Sequence, residues 1–287
     1  MLQEHFFDTG TVRINYAEEL ASGAPLVLIH GGSASWQTFA TIIPDFAARW
    51  HVYALDLRGH GRSGRVAGRY RLQDYADDLA AFLQHLTGPA MLVGHSLGGM
   101  VAVMTAGQHP QLVRALVIGD APLTRATWQQ MLQDQRTQLC TWRDLASAGL
   151  SEVELLATLK ELPVIWGEHT SPVPARVALG EDADWFREMA ANLRQLDPDM
   201  LTALVDEFEQ TVAGYEPHVL LPAITCPVLL LQADPALAGL GMSEADVAQA
   251  LTLLPDATHV QLQGLHHGFA VEPARVCHFL EQCGLRA

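Results

Sequence analysis

Short, almost wholly apolar runs alternate with helix-like stretches from residue 25 onward, and this alternation is the strongest constraint on how the chain folds. A strand that is apolar along its whole length is typical of a parallel sheet whose two faces are both covered by helices. Such runs lie at 25–30, 50–55, 90–93, 115–118 and 227–232, and the stretch 258–262 also has strand character. Between them, the stretch 72–86 places its apolar residues along one helical stripe and stops at Gly88-Pro89. The order of these segments predicts an α/β fold, with a mostly parallel sheet covered by helices.

The alternation stops between residues 123 and 219, where helical patterns occur without a convincing strand. Ser151 and Glu154 form a capping box at the start of one helix, and Asp197 followed by proline is typical of the start of another. The stretch 163–174 between them is interpreted as a loop. The sequence therefore predicts a helical insertion at 123–219 in a sheet domain formed by 1–122 and 220–287.

Charge narrows the possible partners. The 287 residues contain 17 Lys and Arg against 32 Asp and Glu, for a net charge of −15, and Lys160 is the only lysine. No basic run is available to neutralise phosphates, so we expect neither a nucleic acid nor a membrane surface as a partner. The segment 122–225 alone carries −9 of the −15. This excess indicates a solvated, acidic surface on the insertion.

The cysteines and histidines do not follow the spacing of a metal or disulfide framework. The four cysteines are scattered without a CxxC pair, and the 13 histidines include no HExxH pattern, so we expect no metal and no other cofactor. The N-terminus lacks the basic segment and long apolar stretch of a signal peptide. No run approaches the ~18 to 20 apolar residues of a membrane span. We therefore expect a cytoplasmic protein.

The pentapeptide Gly94-His95-Ser96-Leu97-Gly98 is the strongest sign of chemistry in the sequence. It follows the apolar run 90–93 and precedes the helical stretch 100–108. A G-x-S-x-G sequence between a strand and a helix is typical of a nucleophile elbow, in which a strained turn projects the serine hydroxyl above the sheet. Ser96 is therefore the candidate nucleophile, and its glycine neighbours let the strand and the helix approach each other.

A serine nucleophile needs a base and an orienting carboxylate. His267 is the preferred base, because it lies in a glycine-flanked turn just beyond the last predicted strand, and His266 is its rival. Asp234 directly follows the run 227–232 and gives the chain order serine, acid, histidine, which makes it the preferred acid. Asp120 follows the run 115–118, at the same edge of the sheet, and remains the alternative acid.

The developing oxyanion needs two N–H donors. The amide of Leu97 is one by the geometry of the elbow. The amide of Gly32 is the candidate for the other, because His30-Gly31-Gly32-Ser33 follows the first apolar run.

Five motifs in this order carry a resemblance to a known family: HGG at 30–32, DLRGHGRS at 56–63, GHSLGG at 94–99, CPVLLLQAD at 226–234 and GLHHG at 264–268. With them the chain resembles members of the α/β-hydrolase superfamily over nearly its whole length. The resemblance implies that the insertion at 123–219 is a cap, or lid, over the active site. It also supports Ser96 and His267 in their roles.

Two departures from the family pattern concern the acid and the base. Many relatives place the acid in G-x-x-D, whereas this chain has Ala233-Asp-Pro-Ala. A smaller set carries its acid one strand earlier, which keeps Asp120 open. Many relatives also have G-x-G-H before the base, where this chain has Gly264-Leu-His-His.

The resemblance also bears on the type of reaction. Serine rather than aspartate at position 96 argues against dehalogenase and epoxide hydrolase chemistry, because the members of the superfamily with those activities use a carboxylate nucleophile. The expected reaction is acyl transfer to water on a small, mainly apolar ester, lactone or thioester. Carbon–carbon bond hydrolysis, a haloperoxidase-like perhydrolase and a non-enzymatic ligand receptor of the same fold are the alternatives. Trp36 and Trp128 are the candidates for the substrate pocket.

Overall fold

The structure is a computed structural model that describes residues 2–164, 171–236, 241–265 and 271–284. Its centre is an eight-stranded sheet in the order β1-β2-β4-β3-β5-β6-β9-β10. These strands are β1 Gln3–Asp8, β2 Arg13–Glu19, β3 Pro25–Ile29, β4 His51–Leu55, β5 Ala90–His95, β6 Val113–Gly119, β9 Val228–Ala233 and β10 Ala257–Leu262. Six neighbouring strands of this sheet pair in parallel, in the order β4-β3-β5-β6-β9-β10. This pairing confirms the mostly parallel sheet predicted from the apolar runs.

The first two strands were not predicted. β1 and β2 form an antiparallel hairpin, and β2 joins the sheet antiparallel to β4. The hairpin turns at Gly10, which has a φ of 87° and donates its N–H to Asp8. β1 has only exposed and half-buried positions, so it lacks the continuous apolar run that marks the central strands.

Helices cover both faces of the sheet. They are α1 Ile43–Ala47, α2 Leu72–His85, α3 Leu97–Gln108, α4 Arg125–Asp134, α5 Arg136–Ser147, α6 Glu152–Glu161, α7 Ala175–Leu179, α8 Asp184–Gln195, α9 Pro198–Asp206, α10 Phe208–Thr211, α11 Pro217–Ala223, α12 Glu244–Leu253 and α13 Pro273–Gly284. Within the described ranges, none of these helices has the length and apolar character needed to cross a bilayer.

The central strands alternate between two hydrophobic clusters. Val27 and Ile29 of β3 pack with α2 and α3 on one face, whereas Leu26 and Leu28 pack with α1 and α13 on the other. All four side chains have no exposed surface. Successive residues of a strand point to opposite faces, so a strand that is buried on both sides must be apolar throughout.

The segment between β6 and β9 is built almost entirely of helices. It contains α4 to α11, and the predicted capping box at Ser151 and N-cap at Asp197 are both present. The interpretation of 163–174 as a loop is wrong at its two ends, because β7 (Pro163–Val164) pairs antiparallel with β8 (Val173–Pro174). Two residues per strand are too few to produce a recognisable alternation in the sequence.

Polar contacts fix the insertion to the sheet domain. The N–H of Asp197, at the start of α9, donates to the carbonyl of Gly59 at 2.7 Å, and Tyr70 Oη donates to Asp197 Oδ2 at 2.5 Å. Ser35 Oγ donates to Asn192 Oδ1 in α8 at 2.7 Å. The insertion is thereby joined to the loops that follow β3 and β4.

Candidate active site

The predicted elbow is present as a sharp turn between β5 and α3. Ser96 has φ 51° and ψ −120°, a conformation that L-residues rarely adopt. Its N–H donates to the carbonyl of Gly119 in β6 at 2.9 Å, and its own carbonyl accepts from the N–H of Gly99 at 2.9 Å. These bonds hold Ser96 at the carboxyl end of β5, beside the end of β6.

Glycine is required around Ser96 because backbones meet there. A Cβ atom on Gly98 would lie 2.6 Å from the carbonyl oxygen of His30, and one on Gly99 would lie 2.7 Å from Ala121 Cβ. A Cβ on Gly94 would lie 2.7 Å from the carbonyl carbon of Gly98. The helix can therefore begin directly against the strands only if these positions carry no side chain.

Backbone strain collects at one edge of the sheet. The non-glycine residues with left-handed φ in the described ranges are Ser33 at 59°, Ser96 at 51° and Asp120 at 42°. They follow β3, β5 and β6, which are neighbouring parallel strands, so all three lie at the same carboxyl edge. Strain of this kind costs of order 1–3 kcal/mol per residue and is typical of functional sites. This edge is therefore the candidate active site.

The predicted oxyanion loop lies against the elbow. A Cβ on Gly31 would lie 3.2 Å from Ser96 Cβ, and a Cβ on Gly32 would lie 4.0 Å from Leu97 Cδ2. Gly32, Ser96 and Leu97 line the same cavity. The structure thus brings together the two residues predicted to donate their amides and the predicted nucleophile.

Two buried histidines, whose roles were not predicted, hold the predicted oxyanion loop. His60 Nε2 accepts from the N–H of Ser33 at 3.3 Å, and His60 Nδ1 donates to the carbonyl of Arg58 at 2.9 Å. His30 Nε2 accepts from the N–H of Leu57 at 3.0 Å, while its Nδ1 donates to the Gly31 carbonyl at 2.7 Å. Each ring must be neutral to accept at Nε2. Their signal in the sequence was their position inside the HGG and DLRGHGRS motifs.

Burial keeps both rings neutral. Desolvation lowers the pKa of His30 to about 4, and desolvation together with the neighbouring His30 lowers the pKa of His60 to about 3. The two ring centroids are 5.0 Å apart. Protonating either ring would remove the acceptor that holds a loop amide.

Asp56 accepts hydrogen bonds from the neighbouring loops, and one of its donors is the backbone N–H of Trp36, a predicted pocket residue. Its Oδ1 accepts from the N–H of Trp36 at 2.8 Å, and its Oδ2 accepts from Asn15 and from the N–H of Arg62, both at 2.9 Å. Trp36 Nε1 lies 3.4 Å from Glu4 Oε2, and the ring packs in the cluster beneath α1. Trp36 is not among the described residues that line the cavity at Ser96.

Asp120 is buried at the end of β6, next to the elbow. It is 2 % exposed, and its Oδ1 accepts from the N–H groups of Ala233 at 3.2 Å and Met242 at 3.0 Å. Its own N–H donates to Leu231 O at 2.7 Å. The preceding residue, Gly119, is the one whose carbonyl accepts from Ser96.

Asp234 occupies a more open position and is bonded to its own surroundings. Its Oδ2 accepts from the N–H of Gly264 at 2.9 Å, and its Oδ1 accepts from the N–H of Ala236 at 3.0 Å. These two hydrogen bonds lower the pKa of the carboxyl. His267 and its neighbour His266 lie outside the described residues.

A cavity of about 160 Å³ lies between the elbow and the helices of the insertion. Gly32, Ser33, Ser96 and Leu97 form its wall on the side of the sheet, and α4, α5 and α9 form the other wall. Trp128, the second predicted pocket residue, is on this cavity wall. Over the described ranges, no cluster of three or more His, Cys, Asp or Glu residues is placed to hold a metal ion.

The order of the sheet and the strained serine turn are typical of a hydrolase fold. A family model described as the alpha/beta hydrolase fold matches residues 24–269, and the chain belongs to this family. The resemblance seen in the sequence is thereby confirmed.

Relatives within this family include hydrolases with different substrates. A 2-(acetamidomethylene)succinate hydrolase from Mesorhizobium japonicum is 27% identical over 272 residues, which cover 92% of this chain and 90% of the relative. A pimeloyl-[acyl-carrier protein] methyl ester esterase from Chromobacterium violaceum is 37% identical over 103 residues, 36% of this chain and 39% of the relative. The crystal structure of an E-2-(acetamidomethylene)succinate hydrolase has a TM-score of 0.70 at 22% identity, and the match covers 100% of both chains.

The close approach at the elbow predicts the effect of adding one methyl group. Gly98→Ala should lower the free energy of unfolding by about 1–3 kcal/mol, because its Cβ meets backbone that cannot move without opening the sheet. The control is Gly88→Ala, since a Cβ at Gly88 meets nothing within 4 Å. Urea unfolding measures both, and equal effects of the two substitutions would contradict the role given to Gly98.

The neutral histidines predict a loss of stability in acid. Because their pKa values in the folded protein are below the ordinary 6.5, the unfolded chain binds more protons below that pH. The stability that the two neutral rings contribute should be fully present above pH 6.5. It should fall as the pH is lowered toward their pKa values in the folded protein. By pH 5 the expected loss is about 2 kcal/mol for each histidine.

The test is to measure urea unfolding at pH 7 and pH 5 for the wild type and for His60→Gln, which keeps an acceptor but does not titrate. The drop between the two pH values should be smaller in the variant by about 2 kcal/mol. His85→Gln, at an exposed position, serves as the control. An unchanged drop in His60→Gln would mean that His60 is already charged at pH 5.

Proposed function

We propose that the protein is a serine hydrolase that cleaves a small, mainly apolar carboxylic ester, lactone or thioester through an acyl-enzyme on Ser96. The observation that carries this proposal is the position of Ser96. It occupies a strained turn and lines a mainly apolar cavity together with the two candidate amide donors, Gly32 and Leu97. A serine on a strained turn beside backbone N–H donors is the arrangement that acyl transfer uses.

In the proposed reaction, Ser96 Oγ attacks the carbonyl carbon while His267 takes the hydroxyl proton. The carbonyl oxygen becomes an oxyanion, which the N–H groups of Gly32 and Leu97 stabilise. The bond from carbon to the leaving oxygen or sulfur then breaks, and the leaving group takes the proton from His267. A water molecule attacks the acyl-enzyme in the same way, which releases the carboxylic acid and restores the Ser96 hydroxyl.

The two candidates for the orienting carboxylate, Asp120 and Asp234, differ in their surroundings. Three features support Asp120: its burial, its left-handed backbone and its position directly after Gly119, which bonds Ser96. Asp234, the acid preferred from chain order, uses one carboxylate oxygen for the N–H of Ala236 in its own turn and the other for the N–H of Gly264. We therefore propose Asp120 as the acid, and Asp234 as a residue that holds the turn at Gly264.

We also propose that the insertion at 123–219 serves as the cap of the active site. Its helices α4, α5 and α9 line the cavity opposite Ser96. Trp128 of α4 is 2 % exposed and contacts Phe208 edge to face, with ring centroids 5.6 Å apart, so its ring is a fixed part of the wall. Substrate size is then set by helices that do not belong to the sheet domain.

A second candidate is cleavage of an acylated nitrogen rather than an ester. It is favoured by the near full-length match to a hydrolase whose named substrate carries an acetamido group. That named substrate is also a succinate, and the described cavity wall carries no cation for its carboxylates. The ester is therefore the leading substrate class. The bond types are ranked by measuring kcat/KM for matched esters, thioesters, lactones, amides and vinylogous diketones.

The nucleophile is tested with p-nitrophenyl butyrate, whose hydrolysis releases a coloured product. Ser96→Ala should lower kcat by about 10⁶-fold, the effect of removing a serine that acts as part of a catalytic unit. Ser147→Ala, on the exposed end of α5, should leave kcat unchanged. Retention of most of the activity in Ser96→Ala would refute the proposed mechanism.

The acid is tested by the isosteric pair Asp120→Asn and Asp234→Asn. If Asp120 orients the histidine, Asp120→Asn should lower kcat by about 10³- to 10⁴-fold with little change in KM, because only the proton transfer is impaired. Asp234→Asn should lower kcat much less. The reverse order would return the role of the acid to Asp234.

A further inference from the structure

The wall of the Ser96 cavity is electrically neutral. None of the described residues that line it is charged, and its polar side chains are those of Ser33, Ser96, Trp128, Gln135, Gln138 and Trp142. The last three come from α5 and the residue before it, together with Leu139. Residues three, four and seven apart lie on one face of a helix, so α5 presents amides and an indole to the cavity.

The cations of the insertion are engaged elsewhere. Each of the seven Arg and Lys side chains between residues 122 and 225 forms an ion pair with a carboxylate. These pairs join Arg125 to Glu209 and Glu216, Arg136 and Arg143 to Asp206, Lys160 to Glu181, Arg176 to Glu161, Arg187 to Asp184, and Arg194 to Glu152. The two arginines of α5 therefore bind Asp206 at the end of α9, and neither lines the cavity.

The segments outside the described residues bring little further positive charge to the chain. The segments 165–170, 237–240 and 266–270 read IWGEHT, LAGL and HHGFA, so they contain neither lysine nor arginine. Outside the described residues the only such side chain is Arg286, next to the last residue of the chain. A substrate carboxylate held against the α5 face would have an amide, not a guanidinium or ammonium group, as its partner.

The size of the cavity limits the group that it can hold. Its volume is about 160 Å³. An apolar protein cavity of ~150 Å³ holds one benzene molecule. The bound group is therefore about as large as a six-membered ring, and the apolar side chains of α4, α5 and α9 in the wall replace part of its hydration.

We propose that this cavity selects a neutral group of about that size and rejects a carboxylate of the same shape, and that Gln138 of α5 is a specificity-determining residue. The inference rests on the proposed function, since it concerns the substrate of that site. An ionised group that leaves water needs an opposite charge or several hydrogen bonds to replace its hydration. The net charge of −9 on segment 122–225 adds a repulsion in the same direction.

Two esters of identical shape test the charge. Methyl fumaramate and monomethyl fumarate differ only in a terminal carboxamide or carboxylate, and their trans double bond prevents that group from attacking its own ester. Titration calorimetry on full-length Ser96→Ala at pH 7 measures the Kd of each without turnover. We expect the neutral ester to bind at least about tenfold more tightly, a difference of 1.4 kcal/mol.

The role of Gln138 is tested by placing a cation at its position. Gln138 is exposed, so Gln138→Arg in the Ser96→Ala background adds a charge at the cavity wall without burying it. This variant should reduce the preference for the neutral ester severalfold through tighter binding of monomethyl fumarate. The control is Gln133→Arg, which makes the same change of charge at an exposed position of α4 that does not line the cavity.

The outcomes separate this inference from the proposed function. Equal Kd values for the two esters would overturn the charge selection, and equal effects of Gln138→Arg and Gln133→Arg would overturn the role of Gln138. Both results leave the chemistry at Ser96 intact. Failure of Ser96→Ala to reduce hydrolysis of p-nitrophenyl butyrate would instead refute the proposed function, whatever the binding preference.

Discussion

The close approach of β5, α3 and the end of β3 is the constraint on which the rest of the site depends. Gly94, Gly98 and Gly99 let three backbones meet where any side chain would collide with carbonyl groups or with Ala121. This contact forces Ser96 into a left-handed conformation and brings the Gly31-Gly32 loop against it. The strain is sustained because neighbouring parallel strands, buried on both faces, fix each end of the turn.

A second layer of buried polar groups gives the candidate oxyanion loop its shape. Asp56, His30 and His60 accept backbone N–H groups from Trp36, Leu57 and Ser33, respectively. These acceptors replace water for loop amides that cannot join the sheet. Since His60 follows Gly59, whose carbonyl accepts from Asp197, the same loop supports both the candidate oxyanion loop and the start of α9. Loop geometry and insertion geometry are therefore coupled through a few hydrogen bonds.

Much of the fold could be predicted because its central strands are apolar on both faces. The elbow could be predicted because its glycines are needed for one reason, the close approach of a strand and a helix. The β1–β2 hairpin was missed because its residues are half-exposed, and the β7–β8 pair because two residues show no period. Chain order favoured Asp234, whereas the burial and backbone strain that favour Asp120 are visible only after β6 and β9 are placed side by side. The absence of charge on the face of α5 that lines the cavity likewise depends on the directions of the Arg136 and Arg143 side chains, which bind Asp206. Those directions cannot be read from the sequence.

The neutral wall of the cavity also bears on how a catalytic cycle ends. Hydrolysis of an uncharged ester converts its acyl group into a carboxylic acid that is ionised at neutral pH. In the proposed reaction, a wall that accommodates the ester without a cation is a poor site for the product, and the acidic surface of segment 122–225 favours departure of an anion. Product release would then be driven by the reaction itself, and accumulation of the acid would inhibit the enzyme only weakly.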